Sequence, residues 1–279
     1  MRKTGLVVDS TFGLDPAYVK AHGITVVPLH VYIDGEEHID GQLDPELVVK
    51  ALHDKKDVKT SQPSPEMFID AFKAQLETYD SVLCLTLSKT LSGTFNSAML
   101  ASEQMDDPRI VVLDSETTIC GGEYLAERAI EVFSGGASFE EGVHLMKKAI
   151  KDGYLLFTVD NLQTLARNGR LGRVSAFIGN IMKVKPILRF KDNILELEHK
   201  VRSFQNVMLY LIDAAKAIYE QGDMIVRVAY VDQKDMAERL IEDMKKAISG
   251  INVKLSGIIS PVISAHVGLG GLGIYLAKV

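Results

Sequence analysis

The sequence predicts an α/β fold. An open, mostly parallel sheet with helices on both faces occupies the N-terminal part, and a smaller α/β domain follows it. Three observations lead there. From Gly5 to Phe133, short apolar runs alternate with capped amphipathic segments, the rhythm of successive βαβ units. The rhythm breaks at SGGASFEEG (134–142), after which extended runs come in pairs. The chain of 279 residues, 47% hydrophobic and 24% charged, suffices for one large or two medium cores. The expected division is 1–152 and 153–279.

Each element has a local reason. GLVVDS (Gly5 to Ser10) is a short apolar strand. In DPAYVKAHG, Asp15 caps a helix, Pro16 opens it and Gly23 stops it, and ITVVPL is the second strand. PSPEMFIDAFKAQL reads as a capped amphipathic helix, SVLCLTLS as a strand, TFNSAMLASEQM as a helix, RIVVLDS as a strand and GGEYLAERAIEVF as a helix. The helix FEEGVHLMKKAIKDG leads into the strand YLLFTVD, where the second domain begins. KPILRFKDN and ILELEHKVRS form a hairpin turning at Asp192-Asn193. A helix (NVMLYLIDAAKAIYEQG), a strand (MIVRVAYVD) and a helix (QKDMAERLIEDMKKAIS) follow. On that last helix Met236, Leu240, Met244 and Ile248 recur every four residues. VKLSGIIS and LGIYLAKV close the chain as strands. Between Gly257 and Ala277 there is no Asp, Glu, Lys or Arg, about the length a bilayer span requires. Pro261, His266 and the glycines lower its hydrophobicity, so a buried strand-loop-strand is expected there and no membrane insertion.

Composition excludes several classes. The formal net charge of −6 repels phosphate backbones and anionic membranes, so nucleic acid is not an expected partner. Cys84 and Cys120 lie in apolar or small-residue segments without CxxC spacing and read as buried, reduced thiols of a cytoplasmic protein. The first ten residues turn polar too soon for a signal peptide. Walker A, HExxH and GxSxG motifs are absent. Gly268, Gly270 and Gly273 satisfy GxGxxG, but only six residues follow Gly273, too few for the helix and acidic residue that a dinucleotide site needs. No metal or cofactor is expected.

What remains is a set of polar turns at predicted strand ends: Asp9-Ser10, Thr60 to Ser64, Ser92-Gly93-Thr94 and Asp114-Ser115. Each hydroxyl before a helix reads equally as a cap, and each Asp-Ser pair as a partner for loop amides. Together they feed one sheet edge, where helix N-terminal amides and hydroxyls suit an anion. His266 reads either as a core histidine or as a ligand contact, and Arg202 either as a surface ion-pair partner or as a cation for an anionic ligand.

VVDST, TSQPSP, LSKTLSGTFNSA, VLDSETT, ARNGRLGRVSAFIGNIMKVKPIL, KVRSFQN and SAHVGLGGLGIYL, in this order and spacing, resemble the DegV family over essentially the whole chain. Members of that family are the fatty-acid-binding subunits of bacterial fatty acid kinase. The resemblance implies two α/β domains with an acyl chain buried between them. Its carboxylate would be held near Thr60, Ser61, Ser92, Gly93, Thr94, Arg202 and His266. One departure is Leu269, where the family often has proline. The implied function is non-catalytic: the chain holds a long-chain fatty acid and presents its carboxylate to an ATP-binding kinase subunit, giving acyl phosphate for phospholipid synthesis. Arg167, Arg170 and Arg173, followed by Lys183, Lys185, Arg189 and Lys191, form a basic patch on an acidic chain. By itself the patch reads as a solvated helix face, whereas the resemblance suggests a docking surface for the kinase subunit. The alternative function is a serine hydrolase with Ser92 as nucleophile and His266 as base, oriented by Asp9 or Asp114.

Overall fold

The computed structural model describes residues 2–160, 162–172, 174 and 184–279. Strand β1 (Thr4–Asp9) is buried along its whole length, as a central parallel strand must be. After a 3-10 turn (Ser10–Phe12), helix α1 (Pro16–His22) begins as its sequence dictates, with Asp15 accepting from the amides of Ala17 and Tyr18. Strand β2 (Ile24–Val27) pairs in parallel with β1. A small antiparallel sheet then departs from the βαβ rhythm, built from β3 (His30–Ile33), β4 (Glu36–Ile39) and, beyond α2 (Pro45–His53), β5 (Val58–Ser61). Helix α3 (Pro65–Leu76), β6 (Ser81–Thr86), α4 (Thr94–Met105) and β7 (Ile110–Asp114) restore it. The resulting four-stranded sheet has the order β2-β1-β6-β7, every pair parallel. Alternate residues face opposite layers. Val7, Val82 and Cys84 pack with Phe68 and Phe72 of α3 and Ala98 and Ala101 of α4, while Leu6, Val8, Leu83 and Leu85 join the larger core on the other face.

Helix α5 (Ile119–Ser134) lies over that second face, and α6 (Phe139–Lys151), opened by a Ser138–Glu141 capping box, packs against it. From Gly153 onward the strands join a different sheet. These are β8 (Gly153–Thr158), β9 (Lys185–Lys191), β10 (Ile194–Val201), β11 (Met224–Tyr230), β12 (Asn252–Ile258) and β13 (Leu272–Lys278). Their order is β10-β9-β8-β13-β11-β12, antiparallel except for β11 with β12. Short helix α7 (Gln163–Arg167) follows β8, and α8 (Phe204–Tyr219) and α9 (Lys234–Ala247) cover one face of this sheet. There Leu240, Met244 and Ile248 are buried as their spacing requires, with Met236 partly buried beside them. The other face meets α5, which touches β1 and β6 of one sheet and β8, β11 and β13 of the other. Charge reinforces this contact: Arg227 donates to Glu127 at 2.9 Å, and Lys254 donates to Glu123 at 2.9 Å and to Glu127 at 2.7 Å.

The segment expected to be strand-loop-strand holds a helix instead, α10 (Pro261–Val267), between β12 and β13. Six of its seven residues are buried, so it has no polar face to produce a helical period. Among the described residues no helix is long and apolar enough to cross a membrane. The GLGGLG run does not cradle a helix start: Gly268 ends α10 with φ +77° and Gly273 sits in β13.

Candidate functional site

A cavity of about 300 Å³ lies where the C-terminal ends of β2 and β6 face β8, β9 and β13. Most of its wall is apolar. Leu29 and Leu87 come from the first sheet and the loops leaving it, Leu155, Phe157, Phe190 and Leu195 from the second sheet, and Ile259, Val262, Ile263 and Val267 from the α10 region. Polar side chains among the described lining residues are Thr60, Ser61 and Gln62 at the end of β5, Ser92 before α4, Thr118 before α5, Arg170 after α7, Tyr230 at the end of β11, and His266 on α10.

Buried hydrogen bonds fix the loops that carry them. Asp9 ends β1 and accepts from Leu87 N at 2.6 Å and from Thr11 N and Oγ1 at 2.9 and 2.6 Å. It thereby ties the first strand to the loop that holds Leu91 and Ser92. Asp40 accepts from Ser10 Oγ at 2.6 Å and from Val262 N at 3.3 Å, so a carboxylate after β4 anchors the first turn of α10. Burial pushes both carboxyls up to about 6. On α10, His266 Nε2 and Thr60 Oγ1 hydrogen bond at 2.8 Å, while Nδ1 is buried without a partner among the described residues. Burial, with the Arg170 guanidinium adding to it, lowers this imidazole to about 4, so it is neutral at pH 7. Arg170 is half-buried and donates to the carbonyls of Leu91 at 3.2 Å and Asn168 at 2.5 Å. Ser92 Oγ and Thr94 Oγ1 lie 2.9 Å apart, and Thr94 N donates to Ser92 Oγ at 3.3 Å.

Thr60, Ser61, Ser92 and His266 therefore share one cavity. Gly93 and Thr94 sit just behind it, as N-cap and first residue of α4, and Thr94 is fully buried. Gly93 is the close-approach position. A Cβ there would overlap the amide of Gln62, whose Nε2 donates to Ser97 Oγ at 3.0 Å. Arg202 is elsewhere, exposed at the bend after β10 and not on the cavity lining. Of the expected docking cations, Arg167 is exposed at the end of α7, Arg170 lines the cavity, and Arg173 lies outside the described residues, as does Lys183. The residues that sequence reasoning did not single out are Gln62, which stands inside the quoted TSQPS stretch, and Asp40, which no local pattern marks.

The wall beside α5 is strained. Glu116 and Ile119 both have positive φ, +53° and +55°. Such a backbone is costly for a β-branched residue and persists only where its surroundings impose it. Ile119 and its neighbours Thr118 and Cys120 line the cavity.

The arrangement can take up an apolar chain with one acidic end. It does not assemble a serine-histidine dyad: Ser92 Oγ is engaged with Thr94 and His266 with Thr60. Asp9 and Asp114 do not orient the imidazole, since their oxygens accept from Thr11 and Leu87 and from Lys89, Glu116 and Asn193.

Comparison with known proteins gives a consistent set. The family model described as "Uncharacterised protein, DegV family" matches residues 3–279. A DegV domain-containing protein of Staphylococcus aureus is 33% identical over 281 residues, covering all of both chains. Among solved structures, a DegV family protein from Thermus thermophilus described for its fatty acid binding superposes with TM-score 0.92 at 29% identity, covering all of both chains. DegV from Bacillus subtilis, described as a fatty acid binding protein, gives 0.90 at 27%, again over both whole chains. A stearic-acid-binding protein from Eubacterium ventriosum gives 0.89 at 27%, covering 100% of this chain and 98% of that one.

Proposed function

Because the chain belongs to the DegV family, we propose that it binds a long-chain fatty acid in the cavity and presents the carboxylate to an ATP-binding kinase subunit. The observation that carries the proposal is a mostly apolar cavity whose polar lining includes His266, with a buried imidazole nitrogen that has no partner among the described residues. Burying an acyl chain of about fifteen methylenes at about 0.8 kcal/mol each gains on the order of 10 kcal/mol gross. A carboxylate enters such a site only if donors replace its water. Thr60, Ser61 and Ser92 offer hydroxyls, Arg170 a fixed cation, and His266 a nitrogen that gains a proton more readily once an anion is beside it. Arg202 has no place in this set.

Presentation to a kinase rests on the family resemblance and on the chain having no Walker A phosphate loop of its own. In this reading Arg167 belongs to the docking face. Arg170 belongs to the head-group end. Residues 1–152 and 153–279 act as two domains enclosing the ligand.

The test is to denature purified protein, extract it and measure fatty acid by mass spectrometry. About one fatty acid per chain is expected, and Ser92→Ala, which removes one hydroxyl at a helix start, should retain less lipid with the fold intact. Protein purified without lipid that also fails to take up added oleic acid refutes the binding reading. Ester hydrolysis abolished by Ser92→Ala would favour the hydrolase instead.

A further inference from the structure

The tip of the β9–β10 hairpin is tied to two loops that form the opposite wall of the cavity. Asn193 makes most of these ties. Its Oδ1 accepts from Ser88 Oγ at 2.5 Å, its Nδ2 donates to Asp114 Oδ2 at 2.8 Å, and its backbone carbonyl accepts from Thr90 Oγ1 at 3.1 Å. Beside it, Asp192 pairs with Lys151 at 3.3 Å, and the same ammonium binds Glu116 at 2.6 Å. Ser88 is fully buried and Asn193 half-buried, so the first of these bonds is partly shielded from solvent and stronger for it.

Position gives the contacts their meaning. The shaft of the hairpin supplies Phe190 and Leu195, a cross-strand pair, to the cavity wall. The loop after β6, held through Ser88 and Thr90, supplies Leu91 and Ser92, and the loop after β7, held through Asp114 and Glu116, runs into the strained Ile119 and into Cys120. Asp192 and Asn193 both adopt positive φ, +50° and +62°, which aims their side chains and amides from a tight two-residue turn.

We infer that Asn193 is a clasp: its side chain closes the hairpin against the loops after β6 and β7 and so sets how often the cavity opens and how long a ligand stays. The ligand half of this inference rests on the fatty acid reading above, but the opening half does not.

The test uses the chain's own two cysteines. Cys120 lines the cavity, whereas Cys84 is buried in the four-stranded sheet against α3 and α4, so local opening exposes only the first and global unfolding exposes both. Asn193→Gly keeps the positive φ and the carbonyl that accepts from Thr90 while removing both side-chain bonds. In lipid-free protein treated with N-ethylmaleimide, this variant should modify Cys120 about tenfold faster than wild type with Cys84 unchanged, as loss of two hydrogen bonds implies. Equal rates at Cys120, or parallel acceleration at both thiols, overturn the clasp. A second pair of variants guards against misfolding. Asn193→Asp retains the acceptor for Ser88 but sets a carboxylate against Asp114, and should open more often. Combining it with Asp114→Asn restores a donor and acceptor in exchanged positions and should return Cys120 labelling toward wild type, which a merely structural role would not do. Transfer of bound oleic acid to albumin should then follow the same order among the variants. Faster Cys120 labelling in a protein that never binds oleic acid leaves the clasp standing and removes the fatty acid reading, while unchanged labelling and unchanged release remove the clasp alone.

Discussion

Replacing His266 with Gln should change how stability depends on pH, by an amount the structure fixes. The imidazole ordinarily titrates at 6.5 and is lowered to about 4 by burial, so the folded state favours its neutral form. The unfolded chain takes up the proton first as pH falls. The stability due to keeping His266 neutral is therefore complete above 6.5 and is lost between 6.5 and about 4. The interval corresponds to about 3 kcal/mol. Asp9 and Asp40 act in the opposite sense. With carboxyls raised to about 6 from 3.8, they contribute stability as pH falls through the same window, so the wild-type curve alone shows a partial cancellation. The variant isolates the histidine because both carboxylates remain. Urea unfolding of lipid-free wild type and His266→Gln at several values between about pH 7.5 and pH 4.5 should show the difference in unfolding free energy changing by about 3 kcal/mol in favour of the variant on acidification. A difference that stays constant across the range refutes the assignment of His266 as a buried neutral base. Loading with oleic acid gives an internal check, since a carboxylate beside the ring favours the imidazolium and should flatten the pH dependence of the difference between wild type and His266→Gln.

Further substitutions separate the cavity from the proposed docking face. Gly93→Ala should weaken lipid retention because its Cβ displaces the Gln62 amide, and adding Gln62→Ala should recover part of the loss, read as bound fatty acid per chain by mass spectrometry. Arg167→Ala should leave lipid content unchanged while lowering kinase-dependent acyl phosphate formation. Arg170→Ala should lower both, since Arg170 braces the Leu91 carbonyl at the cavity.

The parts of the fold legible in the sequence are those where local chemistry and burial agree. The apolar centres of β1 (Gly5 to Val8) and β6 (Val82 to Leu85), the Asp15-Pro16 start of α1 and the Asp192-Asn193 turn each carry their own signal and appear where that signal places them. The small sheet carries a weaker one. Its strands are four residues long and mostly half-exposed, although Asp34-Gly35, with both residues at positive φ, is the turn pair that marks a hairpin. Arg170 shows why spacing misleads. Arg167 and Arg170 are three residues apart, as neighbours on one helix face would be, but α7 ends at Arg167 and Gly169 turns with φ +71°. One arginine stays in solvent while the other is carried to the cavity. Bringing Thr60 to His266, 206 positions away, is a tertiary event that no window of sequence contains.

Helix α5 buries eleven of its sixteen residues, and it does so against two sheets at once. Neither sheet has a complete core without it. A fragment ending near Asp152 would expose the flank of α5 that β8, β11 and β13 cover, and a fragment beginning at Gly153 would leave Ile225, Ala229 and Tyr275 bare. The chain is thus built to melt in one cooperative transition, and recombination at the sheet boundary would have to exchange α5 with both of its neighbours.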